Sequence, residues 1–202
     1  MSLVKICGVT RVEDAQRAVE LGADLVGLNF WPRSPRYLTP EQALPVAEAV
    51  RGRAQVVGVF VDPPPGRPEA VAEAVGLDLV QFHGDEEPQR LAPWGRRAIK
   101  VFRLSGAPEP EQLAAYPEVW GFLFDVRHPD YGGTGERWEY GTLSGLELPR
   151  PFLVAGGIGP DNARQALEAS GAAGIDICSG VETAPGIKDG ERMQRLFAEV
   201  RR

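Results

Sequence analysis

The chain has 202 residues, of which 43% are hydrophobic and 25% charged, and its formal net charge is −6 at pH 7. This composition supports a packed core and is unlike that of a disordered chain, and the net negative charge argues against a nucleic-acid-binding surface. Since no segment has the roughly 18 apolar residues of a membrane span, and the N-terminus lacks the apolar run of a signal peptide, we expect a cytoplasmic protein that binds no membrane and forms one domain over residues 1–202.

Short runs of β-branched and aromatic residues recur along the whole chain. Each is bounded by glycine, proline or polar residues, which is typical of buried strands. The eight predicted strands are VKICGV from Val4, LVGLNF from Leu25, VVGVFV from Val56, LVQFH from Leu79, AIKVFRL from Ala98, GFLFDV from Gly121, PFLVAG from Pro151 and GIDIC from Gly174.

Most of the intervening segments are amphipathic, open on Ser, Thr, Pro or Asp and end on Gly, as helices do. A repeated strand-then-helix order predicts a parallel sheet. The sixth unit differs, because HPDYGGTGERWEYGTL (128–143) is rich in glycine and predicts a long functional loop followed by a short helix. The predicted helices cover residues 11–22, 39–52, 67–76, 159–171 and 189–202.

Two α/β architectures fit this order. An open doubly wound sheet would place a glycine-rich G-x-G-x-x-G loop after the first strand, but VTRVED follows that strand here. Eight βα units instead fit closure into a barrel. We therefore predict a single (β/α)8 TIM barrel, whose active site lies at the carboxyl ends of the strands.

Polar residues alternate with apolar ones near several strand ends. Lys5 and Cys7 share one face of the first strand, Gln81 and His83 share one face of the fourth, and Asp125 lies opposite its phenylalanine neighbours in the sixth. We expect these faces to line the barrel interior.

Two glycine-rich segments follow the last two strands. AGGIGPDN (155–162) contains Gly156 and Gly157, and CSGVETAPG (178–186) contains Ser179 and Gly180. Glycine permits close backbone approach, and barrels often hold phosphate with the loops after strands seven and eight. We therefore predict a phosphate-binding site there.

Several short motifs occur along the whole chain. They are KICG (5–8), SPR (34–36), QFHG (81–84), FDV (124–126), GGTG (132–135), AGGI (155–158), SGVE (179–182) and PGIKD (185–189). In combination, their order and spacing resemble those of the phosphoribosylanthranilate isomerase family. QFHG carries Phe82 where this family more usually has Leu, and Cys178 lies at a position that is not normally Cys.

The resemblance implies the Amadori rearrangement of N-(5′-phosphoribosyl)anthranilate in tryptophan biosynthesis, with a small phosphoribosyl substrate and no cofactor or metal. It implies that Cys7 is the general base, Asp125 the general acid and Arg36 the clamp on the anthranilate carboxylate. It also implies a phosphate site of Gly156, Gly157, Ser179 and Gly180.

For other polar residues the sequence gives weaker indications of function. Asp176 either contacts the substrate or satisfies backbone donors, and Gln81 with His83 is expected to form an interior hydrogen-bond network. Lys5 is a candidate for lowering the pKa of Cys7, and burial or substrate charge is expected to keep Asp125 protonated. Cys178 is expected to be structural.

Other functions remain as alternatives. A metal-dependent ribulose-phosphate epimerase needs paired His and Asp ligands, and an indole-glycerol-phosphate synthase needs a catalytic Lys and Glu set. Two His and three Lys residues fit neither enzyme well, and two widely separated Cys residues favour neither a disulfide framework nor a Cys-rich metal site. A barrel that has lost catalysis would not need both Cys7 and Asp125. Both a monomer and a homodimer are compatible with the sequence.

Overall fold

Eight parallel strands close into a barrel in the computed structural model, which describes residues 2–126 and 139–201. Each strand pairs with the next, and the last pairs with the first from Leu3 opposite Gly174 to Ile6 opposite Ile177. The predicted fold class is confirmed. The strands are β1 (Leu3–Ile6), β2 (Leu25–Asn29), β3 (Gln55–Phe60), β4 (Leu79–Phe82), β5 (Ala98–Leu104), β6 (Gly121–Val126), β7 (Phe152–Val154) and β8 (Gly174–Ile177).

Helices surround the barrel, and all five predicted ones are present. The predicted helix over 159–171 begins only at Ala163, because Asn162 Oδ1 accepts a hydrogen bond from Gly159 N and holds the preceding residues in a turn. The helices are α1 (Val12–Glu20), α2 (Pro40–Val50), α3 (Arg67–Val75), α4 (Pro88–Leu91), α5 (Pro110–Ala114), α6 (Ala163–Ser170) and α7 (Gly190–Val200).

Two of these helices, α4 and α5, were not predicted. They have four and five residues, and each begins at a proline. One turn of helix is too short to show a 3.6-residue periodicity, so proline is the only local signal for them.

The sixth βα unit is described only in part. Residues 127–138, which include GGTG (132–135), lie outside the described residues, so the prediction of a long functional loop stays a prediction. A short 3-10 helix follows at Tyr140–Leu143 and precedes β7, in agreement with the predicted short helix.

Side-chain caps begin two of the longer helices. Thr39 accepts a hydrogen bond from Gln42 N, and the Gln42 side chain accepts one from Thr39 N, which forms a capping box at the start of α2. Asp189 accepts hydrogen bonds from two backbone N–H groups at the start of α7. Within residues 2–126 and 139–201, no helix has the length and apolar character needed to cross a bilayer.

Apolar side chains pack in two layers. The larger layer lies between the strands and the helices, and the smaller one fills the barrel interior. Along the strands, members of the inner layer alternate with residues of the outer layer, as the predicted alternation requires. The inner layer includes Leu25, Val57, Leu79, Ile99, Leu123 and Leu153.

A small antiparallel hairpin follows β8. It consists of β9 (Glu182–Ala184) and β10 (Ile187–Lys188), and it starts directly after a 3-10 turn at Ser179–Val181. This hairpin was not predicted. It brings the SGVE and PGIKD motifs back over the carboxyl ends of β1 and β8.

Candidate active site

A thiol, a lysine and a carboxylate meet where β1 and β8 close the barrel. Lys5 is fully buried and donates from Nζ to Asp176 Oδ1 at 2.8 Å. Gly27 on β2 leaves room for both neighbours, because a Cβ there would lie 2.9 Å from Cys7 Sγ and 3.2 Å from Lys5 Nζ. Lys5 and Cys7 therefore share the barrel interior, as their strand alternation predicted.

The Cys7 thiol is held toward its ionised form. A hydrogen bond from Cys178 is the main cause of its lowered pKa, and the positive charge and hydrogen bond of Lys5 act in the same direction against burial. Lys5 thus contributes as predicted, but the larger contribution of Cys178 was not expected.

Two acids, Asp176 and Cys7, lie beside a single lysine, Lys5. Burial and the negative charge of Cys7 raise the pKa of Asp176 to about 7, although the Lys5 ammonium opposes this shift. For Lys5, burial disfavours the charge, but Asp176 and Cys7 more than offset it and raise the lysine pKa. The cluster therefore keeps Lys5 charged and lets Asp176 hold a proton near neutral pH.

Asp125 lies at the end of β6 and is buried. Its Oδ1 accepts a hydrogen bond from Val126 N at 2.8 Å, and its Oδ2 lies 3.5 Å from His83 Nε2. Gly156 brings the β7 loop close, since a Cβ there would lie 3.1 Å from Asp125 Oδ1. The charges of both Cys7 and Asp125 act on Asp176, so all three acids belong to one site.

Gln81 and His83 form the predicted interior pair. Gln81 Nε2 lies 3.2 Å from His83 Nδ1, which places the ring proton on Nε2 if the amide donates. Among the described residues, Gln81 Oε1 and His83 Nε2 are buried without a hydrogen-bond partner. A buried polar atom without a partner is costly, so these two atoms are suited to receive a ligand.

Arg36 lies across the site on the loop after β2 and is held by an acid that sequence reasoning did not single out. Its Nε and Nη2 donate to the Glu182 carboxylate, with Nη2 to Oε2 at 2.6 Å. Within residues 2–126 and 139–201, Nη1 has no hydrogen-bond acceptor, so the opposite edge of the guanidinium can bind a second carboxylate. Gly8, at φ +67°, permits this placement, because a Cβ there would collide with Arg36 Cδ.

Glu182 also receives Lys188, so two cations share one buried carboxylate. Lys188 Nζ donates to Glu182 Oε1 at 2.7 Å and to the carbonyl oxygens of Cys7 and Cys178 at 2.5 and 3.1 Å. Burial opposes the charge of Glu182, but Arg36 and Lys188 keep its pKa lowered. Their presence in the quoted SGVE and PGIKD motifs was the only sequence signal for these two residues.

The glycine-rich loops after β7 and β8 lie against each other. Gly156 and Gly157 have φ of +87° and +63°, and a Cβ on Gly180 would collide with the carbonyl oxygen of Ile158. Within the described residues, the N–H groups of Gly157, Ser179 and Gly180 donate to no protein acceptor. The predicted phosphate residues are thus adjacent and offer free donors, which is what an oxyanion requires.

This fold and these side chains define a class, the (β/α)8-barrel enzymes that perform acid–base chemistry at the carboxyl ends of their strands. A family model described as N-(5′phosphoribosyl)anthranilate (PRA) isomerase matches residues 4–199. The chain belongs to the N-(5′-phosphoribosyl)anthranilate isomerase family, as the sequence resemblance indicated.

Individual relatives agree with this assignment over their full lengths. N-(5′-phosphoribosyl)anthranilate isomerase of Halorhodospira halophila is 45% identical, with 98% of this chain and 96% of the relative covered. The crystal structure of phosphoribosyl anthranilate isomerase from Thermus thermophilus matches with a TM-score of 0.90 and 39% identity, covering 98% of each chain.

A structure that contains a bound ligand is also similar. It is a phosphoribosyl anthranilate isomerase in complex with reduced 1-(o-carboxyphenylamino)-1-deoxyribulose 5-phosphate. The TM-score is 0.82 at 32% identity, with 100% of this chain and 99% of that chain covered.

Proposed function

We propose that this isomerase uses Cys7 as the general base and Asp125 as the general acid. The enzyme isomerises N-(5′-phosphoribosyl)anthranilate in tryptophan biosynthesis. The observation that carries the two assignments is the placement of the Cys7 thiol and the buried Asp125 carboxyl group on inward faces of one barrel end, with Lys5 beside the thiol.

The chemistry needs one proton delivered and one removed. Asp125 gives its proton to the furanose ring oxygen, the ring opens, and the anthranilate nitrogen forms a Schiff base with C1′. That cationic nitrogen acidifies C2′, so the Cys7 thiolate suffices to remove the C2′ proton. The resulting enolamine tautomerises to the 1-deoxyribulose ketone, and the substrate and product are isomers.

We assign the substrate contacts to the protein groups that can still form hydrogen bonds. The free edge of Arg36 binds the anthranilate carboxylate, while Glu182 holds its other edge. Gly156, Gly157, Ser179 and Gly180 bind the phosphate through backbone N–H groups. Asp176 holds Lys5 with one oxygen and contacts the ribose with the other.

The decisive test follows the fluorescence decay of N-(5′-phosphoribosyl)anthranilate generated in situ. We expect Cys7→Ala and Asp125→Asn to lower kcat by about 10²–10⁴, the usual contribution of one acid or base group. Cys178→Ser removes the neighbouring thiol but keeps a hydroxyl donor beside Cys7, so it should lose much less activity than Cys7→Ala. If both variants kept wild-type turnover, the acid/base assignment would be wrong. A wild-type protein that bound a ribose-phosphate analogue without turnover would instead be a non-catalytic barrel.

The assembly and location of the enzyme are also proposals. A similar structure is described as mutually generated monomers of a dimeric phosphoribosylanthranilate isomerase from Thermotoga maritima. We propose that this chain works in the cytoplasm as a monomer or a homodimer, and light scattering after gel filtration distinguishes the two assemblies.

A further inference from the structure

The two cysteines of the chain lie side by side at the seam of the barrel. Cys7 directly follows β1 and Cys178 directly follows β8, and the last paired residues of these strands are Ile6 and Ile177. Cys7 N donates to Ile177 O at 2.8 Å, which extends the pairing by one residue. Lys188 then joins the carbonyl oxygens of both cysteines. The two backbones are therefore held in register at the thiols.

This register suits a covalent bond between the sulfurs. Neighbouring strands lie about 4.8 Å apart, and disulfides span Cα separations of about 4.4–6.8 Å. The two thiols are close enough that each shifts the pKa of the other. Gly8 leaves space beside the pair, since a Cβ there would lie only 3.0 Å from Cys178 Sγ.

The two thiols also differ in reactivity. One is suited to attack a peroxide, and the other is suited to react afterwards with the oxidised sulfur. Cys7 has a lowered pKa, and the thiolate is the form that reacts with peroxides. The pKa of Cys178 is raised, first by its hydrogen bond to Cys7 and then by burial, while Lys188 and Arg36 oppose the shift. Oxidation of Cys7 removes its negative charge and leaves the two cations to favour the Cys178 thiolate.

Access is provided at the open end of the barrel. Cys178 is partly exposed, and Cys7 retains 8% of its surface exposed. A molecule as small as hydrogen peroxide can reach the site that the substrate enters.

We propose that Cys7 and Cys178 are an oxidative modification site, at which a hydroperoxide forms a reversible disulfide and stops catalysis. The Cys7 thiolate attacks the peroxide O–O bond, which gives a sulfenic acid and releases water after protonation. The Cys178 sulfur then displaces hydroxide from the sulfenic sulfur, and with the thiol proton this leaves as a second water. The two sulfurs are oxidised by two electrons, and one hydrogen peroxide is reduced to two waters.

The expected loss of activity rests on the proposed function of Cys7 as the general base, but formation of the disulfide does not depend on that function. The experiment therefore measures disulfide formation and isomerase activity separately. Reduced full-length enzyme is treated with hydrogen peroxide, free thiols are alkylated with iodoacetamide, and the intact mass and the isomerase activity are recorded before and after dithiothreitol. Cys178→Ser is treated in parallel, and each protein is compared with its own reduced activity.

For the wild type we expect a mass lower by two hydrogens, no alkylation, loss of activity, and recovery with dithiothreitol. For Cys178→Ser we expect sulfinic or sulfonic acid at Cys7 and no recovery, because no resolving thiol protects the sulfenic acid. Overoxidation of wild-type Cys7 at the rate seen in Cys178→Ser, with no disulfide, would overturn the proposal. A wild-type disulfide that left activity intact would support the site and overturn the general-base role of Cys7.

Discussion

Lys5 on β1 and Lys100 on β5 are buried lysines of barrel strands, and each pairs with a carboxylate, but the two pairs differ in how their remaining hydrogen-bonding groups are used. Lys5 and Asp176 meet at 2.8 Å inside the barrel, whereas Lys100 and Glu86 meet at 3.0 Å beneath the helix layer. Both lysines are almost completely buried. Since the two pairs are alike in distance and burial, any difference in their behaviour must come from the groups around each pair.

The remaining hydrogen-bonding groups of the Lys100 pair are satisfied mainly by the backbone. Glu86 accepts hydrogen bonds from Asp62 N and Gly84 N, and Lys100 also donates to Gly84 O and faces the Tyr116 ring at 5.7 Å. Such a pair holds the loop after β4 in one position. A buried charge that loses its only ionic partner is strongly destabilising.

The Lys5 pair has a second acid beside it instead of backbone donors. Cys7 and Asp176 compete for one ammonium, so the pKa of the thiol falls and that of the carboxylate rises. An incompletely satisfied buried charge therefore shifts the pKa values of its neighbours, while a fully satisfied one stabilises the fold.

The largest expected effect is on stability at the saturated pair. Lys100→Met should lower the free energy of unfolding by about 3–5 kcal/mol, because it leaves Glu86 buried without its cation. Urea unfolding measures this loss, and the folded fraction should keep its kcat. A variant as stable as the wild type would show that the two pairs do not differ in the way described.

Lys5→Met should act on chemistry. We expect kcat to fall by about 10²-fold, because the thiol loses a cation that favours its ionised form. The pH profile of Cys7 alkylation by iodoacetamide should move to higher pH in this variant, with Lys100→Met as the control that leaves the profile in place. An unchanged alkylation profile in Lys5→Met would show that Lys5 does not lower the pKa of Cys7.

Asp176→Asn should change the pH dependence of stability. The pKa of Asp176 is about 7 in the folded state against 3.8 for a free side chain, so its stabilising contribution is full below about pH 4 and is lost as pH rises through about 7. Relative to the wild type, the variant should therefore gain about 2 kcal/mol between pH 4.5 and pH 8. This is less than the full shift would give, because Lys5 and Cys7 titrate together with the carboxylate. Urea unfolding at the two pH values provides the check, and a parallel pH dependence of both proteins would contradict it.

The smallest effect on turnover is expected at Glu182. Glu182→Gln removes the charge that orients Arg36. KM for N-(5′-phosphoribosyl)anthranilate should then rise about tenfold with kcat nearly unchanged, because Arg36 binds the substrate and the transition state equally. Arg36→Lys should raise KM in the same direction because lysine lacks the bidentate edge. A fall in kcat at constant KM would place Glu182 in the chemical step instead.

The sequence by itself determined the features that depend on local periodicity. Strand alternation predicted that Lys5 shares a face with Cys7 and Gln81 with His83, and the repeated strand–helix order predicted the barrel. The family motifs predicted the reaction. These features need no knowledge of distant contacts, because side-chain direction follows from the backbone of one strand.

The residues that complete the site from distant parts of the chain are known only from the folded structure. Glu182 contacts Arg36 across 146 positions, and Lys188 contacts Cys7 across 181. Cys178 was expected to be structural, yet closure of β8 onto β1 places it beside Cys7, where it is the main cause of the lowered pKa of Cys7. Burial and mutual electrostatic interaction set the pKa values of Cys7 and Asp176, and both depend on the closed barrel rather than on any short stretch of sequence.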